Sequence, residues 1–162
     1  YPLPEAQLDR FLFNVVLDYL SADDELAVLQ RFTTRVDLPQ VEVCTNAEDI
    51  LKYQWLVRQV PVSESIGRFA VNLVRGTRPE DPAATDAVKR YVKFGSSVRA
   101  TMFLALAAKA RALLMGRFHV TEDDIRALAL PVLRHRVLTN YHAESDGQSV
   151  DAVLGSLLQV RS

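Results

Sequence analysis

Between Ser63 and Gly76, apolar residues stand at Ile66, Phe69, Ala70, Leu73 and Val74. That i, i+3, i+4, i+7 spacing gives a helix one apolar face, with Ser63 as N-cap and Gly76 at its end. The same periodicity predicts a helix from about Ser21, with an acidic first turn (Asp23, Asp24, Glu25) and apolar Leu26, Leu29 and Phe32, ended by Leu38-Pro39. Asn46 caps another, Ala47 to Val57, carrying Ile50, Leu51 and Trp55. Thr121 with an acid three residues on is a capping-box start. Ile125, Leu128 and Ala129 follow before Pro131, and Val150 to Val160 forms a last amphipathic helix.

The longest predicted helix runs from Arg99 to Met115, between Ser96 or Ser97 as N-cap and Gly116 as C′ glycine. Gly95 lets the chain enter the first turn at almost any backbone angle. On a helical wheel Arg99 falls on one face with Met102, Phe103, Leu106, Ala110 and Leu113.

Other stretches depart from the helical period. Pro4 opens a short helix, Glu5 to Arg10. Phe11 to Leu17 is then almost continuously apolar and reads as a strand buried on both faces. Such a strand needs neighbours, which the rest of the chain scarcely offers, so it is expected to be left over from a larger sheet. Val41 to Thr45 alternates and predicts a short strand, as does Arg134 to Leu138. Asp86 to Phe94 is a weaker helix or an extended piece, while Thr77 to Thr85 and Asn140 to Gln148 read as loops. The fold class is therefore mainly α, a small helical bundle preceded by one strand from an α/β core, with a boundary near Asp18 to Ala22.

Composition narrows the function classes. The 162 residues are 49% hydrophobic and 24% charged, as expected of a chain with a packed core. A net charge of −1 and the lack of a basic helix argue against a general nucleic-acid binder. Cys44 is the only cysteine, which excludes an internal disulfide and a cysteine metal cluster, and it reads as a small core or strand residue. No apolar run is long enough to cross a bilayer. The chain starts at Tyr1 without an initiator Met, so a processed or cut chain is expected.

Few residues carry candidate chemistry. There is no Gly-rich phosphate loop and no paired-His metal spacing. His119, His135 and His142 are scattered, and the acidic triplets at 23–25 and 122–124 are accounted for as partners of helix dipoles. Arg99 is the exception. It places a cation at the helix end whose dipole is already positive, unfavourable by about 0.3–1 kcal/mol. A bound anion such as phosphate would reverse the sign; snorkelling to solvent or pairing with a carboxylate elsewhere are the alternatives. Arg10 sits at an element edge, and Arg134 and Arg136 compensate a helix C-terminus.

Four ordered segments share a resemblance. Tyr1 to Phe11 closely resembles the "YPLPEAQLDRF" segment of MoxR-type AAA+ ATPases, and Gly95 to Ala100 resembles their sensor 2 motif "GASPRA". Val120 to Ile125 and Pro131 to Arg136 are similar to "VTPEDV" and "PVLRHR". The departures are Ser96 for Ala, Val98 for Pro, and a longer loop before the motif. The resemblance implies that residues 1–20 are the end of an AAA+ core and 21–162 its α-helical lid. It implies that Arg99 is the sensor 2 arginine on the nucleotide phosphates, and Arg10 an arginine finger acting in trans on a neighbour, with Asp9 positioning it. ATP and Mg are then the cofactors of the full-length protein. Walker A, Walker B and sensor 1 would lie upstream of Tyr1, so this chain alone is expected neither to bind ATP tightly nor to hydrolyse it. Expected partners are further copies in a ring (a hexamer) and von Willebrand A-domain proteins, with no nucleic acid and no membrane insertion, in the cytoplasm. The work would be chaperone-like remodelling or cofactor insertion. A standalone helical interaction module is the competing reading, and a Gly-x-x-x-x-Gly-Lys-Ser/Thr loop upstream discriminates between them.

Overall fold

The computed structural model describes residues 1, 3–34 and 40–159, with Thr34 described by its backbone alone. The predicted stop at Leu38-Pro39 lies outside these residues, as does Val160. Three helices come first: α1 (Glu5–Leu8), α2 (Ala22–Thr34) and α3 (Ala47–Gln59). Then follow α4 (Glu64–Arg75), α5 (Asp86–Tyr91), β1 (Val92–Phe94), α6 (Val98–Leu114), α7 (Glu122–Leu133), β2 (Leu138–Thr139), α8 (Tyr141–Ser145) and α9 (Val150–Gln159). The architecture is mainly α.

Capping fixes most of the starts. Asn46, Ser63 and Thr85 accept from the backbone N–H of Asp49, Ile66 and Val88 respectively. Gly116 ends α6 with φ +70°, a left-handed conformation open to glycine. Asn140 caps α8 through the N–H of Ala143, so part of the predicted 140–148 loop is a short helix.

The core lies between α4, α6, α7 and α9, filled by Leu73, Leu104, Ile125, Leu133, Leu154 and Leu157. The buried side of α6 is Ala100, Leu104, Ala107, Ala108 and Ala112. The predicted stripe is therefore displaced, and Met102 is 65% exposed. Helix α6 is apolar nearly all round, so its period does not select a face. The small alanines do, because α4 and α7 approach there and axis separation depends on side-chain size at the contact.

Two predicted strands do not form. Among the described residues, 11–17 and 41–45 have no ladder partner, and Phe11, Val15, Val16, Leu17, Val41 and Val43 are exposed. A strand exists only through hydrogen bonds to a neighbour, which apolar composition does not supply. Cys44 is likewise exposed, not a core residue. The strand predicted within 134–138 moves to its end: β2 pairs antiparallel with β1, Val92 opposite Thr139 and Phe94 opposite Leu138. This small ribbon sets the segment leading into α6 beside the segment leaving α7.

Candidate functional site

The head of α6 is built on close backbone packing. A Cβ on Gly95 would lie 2.4 Å from the carbonyl oxygen of Thr77 and 2.7 Å from the Cα of Arg78. Close approach, and not a positive φ, is what requires glycine here. Next to it the N–H of Ser96 donates to Thr77 Oγ1 at 2.9 Å, and Arg78 Nε donates to the Ser96 carbonyl at 3.0 Å. Ser97 is the N-cap, accepting from the N–H of Arg99 at 3.2 Å.

The cation at this helix end has a carboxylate partner. Arg99 Nη1 donates to Asp9 Oδ2 at 2.8 Å, and Ser97 Oγ donates to the same oxygen at 3.2 Å. The other oxygen, Asp9 Oδ1, accepts from Arg136 Nε at 3.0 Å. Thus Asp9 joins two arginines, one from each side of the ribbon. Pairing with a carboxylate, one of the readings open at Arg99, is present here.

Arg136 does more than compensate a helix end. Its side chain is 1% exposed. Besides Asp9 Oδ1 it donates to the carbonyls of Asp9, Phe11, Leu12 and Val132, and its guanidinium lies 5.0 Å from the ring centroid of Phe103. Burial pushes the guanidinium below its ordinary value, and the Asp9 carboxylate opposes that shift. Its neighbours take part too. His135 Nε2 meets the Phe11 carbonyl at 3.1 Å, Arg134 Nη1 donates to the Asn14 carbonyl at 3.4 Å, and the Asn14 N–H donates to the Pro131 carbonyl at 2.8 Å. Burial also lowers the His135 imidazole below the ordinary histidine value. The triplet 134–136 is therefore a dock for the main chain of residues 9–14. The helix-end compensation expected of these arginines is present in the bond from Arg136 to the Val132 carbonyl in the last turn of α7, and the docking of residues 9–14 goes beyond it. No sequence signal marks this, because the acceptors are backbone carbonyls more than a hundred residues away.

Arg10 follows Asp9 but turns away from this network. It is exposed and donates to Gln7 Oε1 at 3.3 Å. Asp9 makes its side-chain bonds to Arg99, Arg136 and Ser97. The structure thus brings Arg99 and Asp9 together and leaves Arg10 facing outward. Around Asp9, a cavity of about 170 Å³ is bordered by Glu5, Phe94, Gly95, Ser97, His135 and Arg136. Among the described residues no three His, Cys, Asp or Glu side chains gather to hold a metal ion. Nor is any described helix long and apolar enough to cross a membrane.

Comparison with known proteins defines the class first. Residues 84–156, from the end of the 77–85 loop through most of α9, match the family model described as the AAA lid domain. The chain is 35% identical to Chaperone MoxR1 of Mycobacterium tuberculosis, covering 98% of this chain and 42% of that protein. It is 29% identical to Protein MoxR of Paracoccus denitrificans, covering 85% of this chain and 43% of that one. A crystal structure of a candidate ATPase from Cytophaga hutchinsonii superposes with a TM-score of 0.89 at 34% identity, over 98% of this chain and 48% of the other. The chain matches the C-terminal, lid-bearing part of MoxR-type AAA+ ATPases. It spans less than half the length of these relatives.

Proposed function

We propose that this chain is the part of a ring-forming AAA+ ATPase that senses nucleotide phosphates through Arg99 and offers Arg10 to a neighbouring subunit. Residues 1–20 are then the end of the core, and 21–162 the lid. One observation carries the reading: the head of α6, with Arg99 and Ser97, already seats an anion, the Asp9 carboxylate. A phosphate oxygen has the same charge sign and accepts the same hydrogen bonds, so the donor set fits a nucleotide phosphate. Arg99 is also accessible, with 43% of its side chain exposed.

ATP with magnesium supplies the transferable phosphoryl group when bound. Arg99 contributes a guanidinium and the α6 N-terminus its aligned N–H groups, which orient that anion and neutralise it. Arg10 is exposed, and among the described residues its side chain bonds Gln7 alone, which leaves it able to reach across an interface. An arginine so placed stabilises charge developing on the transferred group, an effect worth about 10³–10⁵ in rate. One relative carries the name chaperone, which supports a chaperone-like remodelling role. A cytoplasmic hexamer and von Willebrand A-domain partners belong to the same proposal and rest on the resemblance to MoxR-type ATPases alone.

The test uses the full-length protein. Arg99→Ala should lower ATP turnover about tenfold or more and weaken the nucleotide-dependent lid change; unchanged turnover overturns its assignment. Arg10→Ala should cut turnover by about 10³ while leaving nucleotide binding largely intact. Mixing it with a Walker-defective subunit should partly restore activity, and no restoration in verified mixed rings counts against action in trans.

A further inference from the structure

Asp9 holds its two arginines on very different terms. On one oxygen sits Arg136, 1% exposed, which also donates to four backbone carbonyls, including that of Asp9 itself. On the other sits Arg99, 43% exposed, whose side-chain hydrogen bond is the one to Asp9. Breaking the first pair would strand a buried cation among carbonyls. Breaking the second returns a half-solvated guanidinium to water, where exposed pairs hold only weakly.

We propose that Asp9 is a positioning residue with one fixed and one exchangeable partner. Its carboxylate neutralises Arg99 until a polyphosphate takes that guanidinium, and it stays on Arg136 when Arg99 leaves. The proposal rests on the reading of Arg99 as a phosphate contact and adds a competitor to it. Phosphate must displace a carboxylate already paired with Arg99. Arg10 follows Asp9 by one peptide unit, so the exchange takes place beside the segment bearing Arg10. A rigid structural clamp on residues 9–14 would behave differently, since Arg99 would then be as immobile as Arg136.

The experiment follows the arginine Nε–H signals of the isotope-labelled 162-residue chain by NMR while inorganic triphosphate is added at low salt. In the wild-type chain the Arg99 signal should move and the Arg136 signal should not; movement of both overturns the fixed-and-exchangeable division. Asp9→Asn, nearly isosteric and uncharged, should bind triphosphate on the order of tenfold more tightly at Arg99, because the competing charge is gone. An affinity equal to wild type overturns the competition. Adding Arg99→Ala to Asp9→Asn should abolish the gain, and persistence of the gain places the anion elsewhere and overturns the proposal. Should Asp9→Asn fail to fold, the wild-type titration decides alone, through the two arginine signals. If triphosphate moves Arg99 equally in both chains, the exchange falls and the phosphate reading stands. If it moves no arginine signal in either, the exchange falls, and the phosphate reading is decided by the turnover of Arg99→Ala in the full-length protein.

Discussion

Leu104 and Trp55 are large apolar residues in the middle of well-formed helices, yet Leu104 is 0% and Trp55 63% exposed. The contrast extends to whole regions. From Val60 onward the chain builds a continuous core, whereas no described residue before Val60 is buried. Helix α2 packs extensively on no other described helix or strand, and α3 rests on α6 by one edge, with Lys109 Nζ donating to the Arg58 carbonyl at 3.1 Å. Apolar sequence alone thus secures a helix but not its burial. What joins the leading segment to the packed region is polar: the carbonyls of Asp9, Phe11, Leu12 and Asn14, and one carboxylate.

The largest effect expected from breaking the packed region is at Asp124. Its fully buried carboxylate accepts from Arg117 at 2.5 and 2.7 Å, from Arg111 at 2.5 Å, and from the N–H and hydroxyl of Thr121 at 2.9 and 3.0 Å. The Arg117 guanidinium, above all, holds it far below the usual carboxylate range. Asp124→Asn leaves two arginines around a neutral group and should cost about 3–5 kcal/mol in urea denaturation. Because the folded value is depressed, this stabilisation is complete above the unfolded value near 4 and is lost as pH falls below it. The wild-type chain should therefore lose stability steadily below about pH 4, and Asp124→Asn should remove that slope. A slope unchanged in the variant would assign the acid sensitivity to other carboxylates.

Next in size is a matched pair. Leu104→Ala opens a void in the core and should cost about 2–5 kcal/mol. Leu51→Ala on α3, where the residue is 64% exposed, should change stability by no more than about 0.5 kcal/mol. Equal losses in the two variants would end the division between the regions. At the seam, Gly95→Ala should cost about 1–3 kcal/mol, since its Cβ meets the fixed backbone of Thr77 and Arg78.

What the sequence discloses follows the range of each interaction. Helix starts were legible where a cap is local: Asn46 and Ser63 each bond an N–H three residues on. Thr85 makes the same bond but was read as the end of a loop. The face of α6 was not legible, since alanine and leucine on every side leave the choice to α4 and α7. Residues 11–17 have a strand's composition but lack the paired neighbour that makes one. At the site, Arg99 stood out as an electrostatic anomaly before any partner was known. Asp9 was legible only as a neighbour of Arg10, and Arg136 only as one charge in a cluster. Their bond spans 127 residues and joins two segments with no shared period.

The smallest expected effect separates local from global stability. Asn46→Ala removes the acceptor for the Asp49 N–H, now 3.0 Å away, and should weaken α3 by about 1 kcal/mol. Because α3 buries no residue, that loss should not reach the urea midpoint. It should instead raise amide hydrogen exchange across α3 by about fivefold and leave α4, α6 and α7 unchanged. Thr85→Ala is the control. It removes the same kind of cap from α5, but Val88 in that helix is fully buried, so its cost should appear in the midpoint. A midpoint shift for Asn46→Ala as large as that for Thr85→Ala would mean that α3 unfolds together with the core, and the boundary at Val60 would no longer mark two regions of different stability.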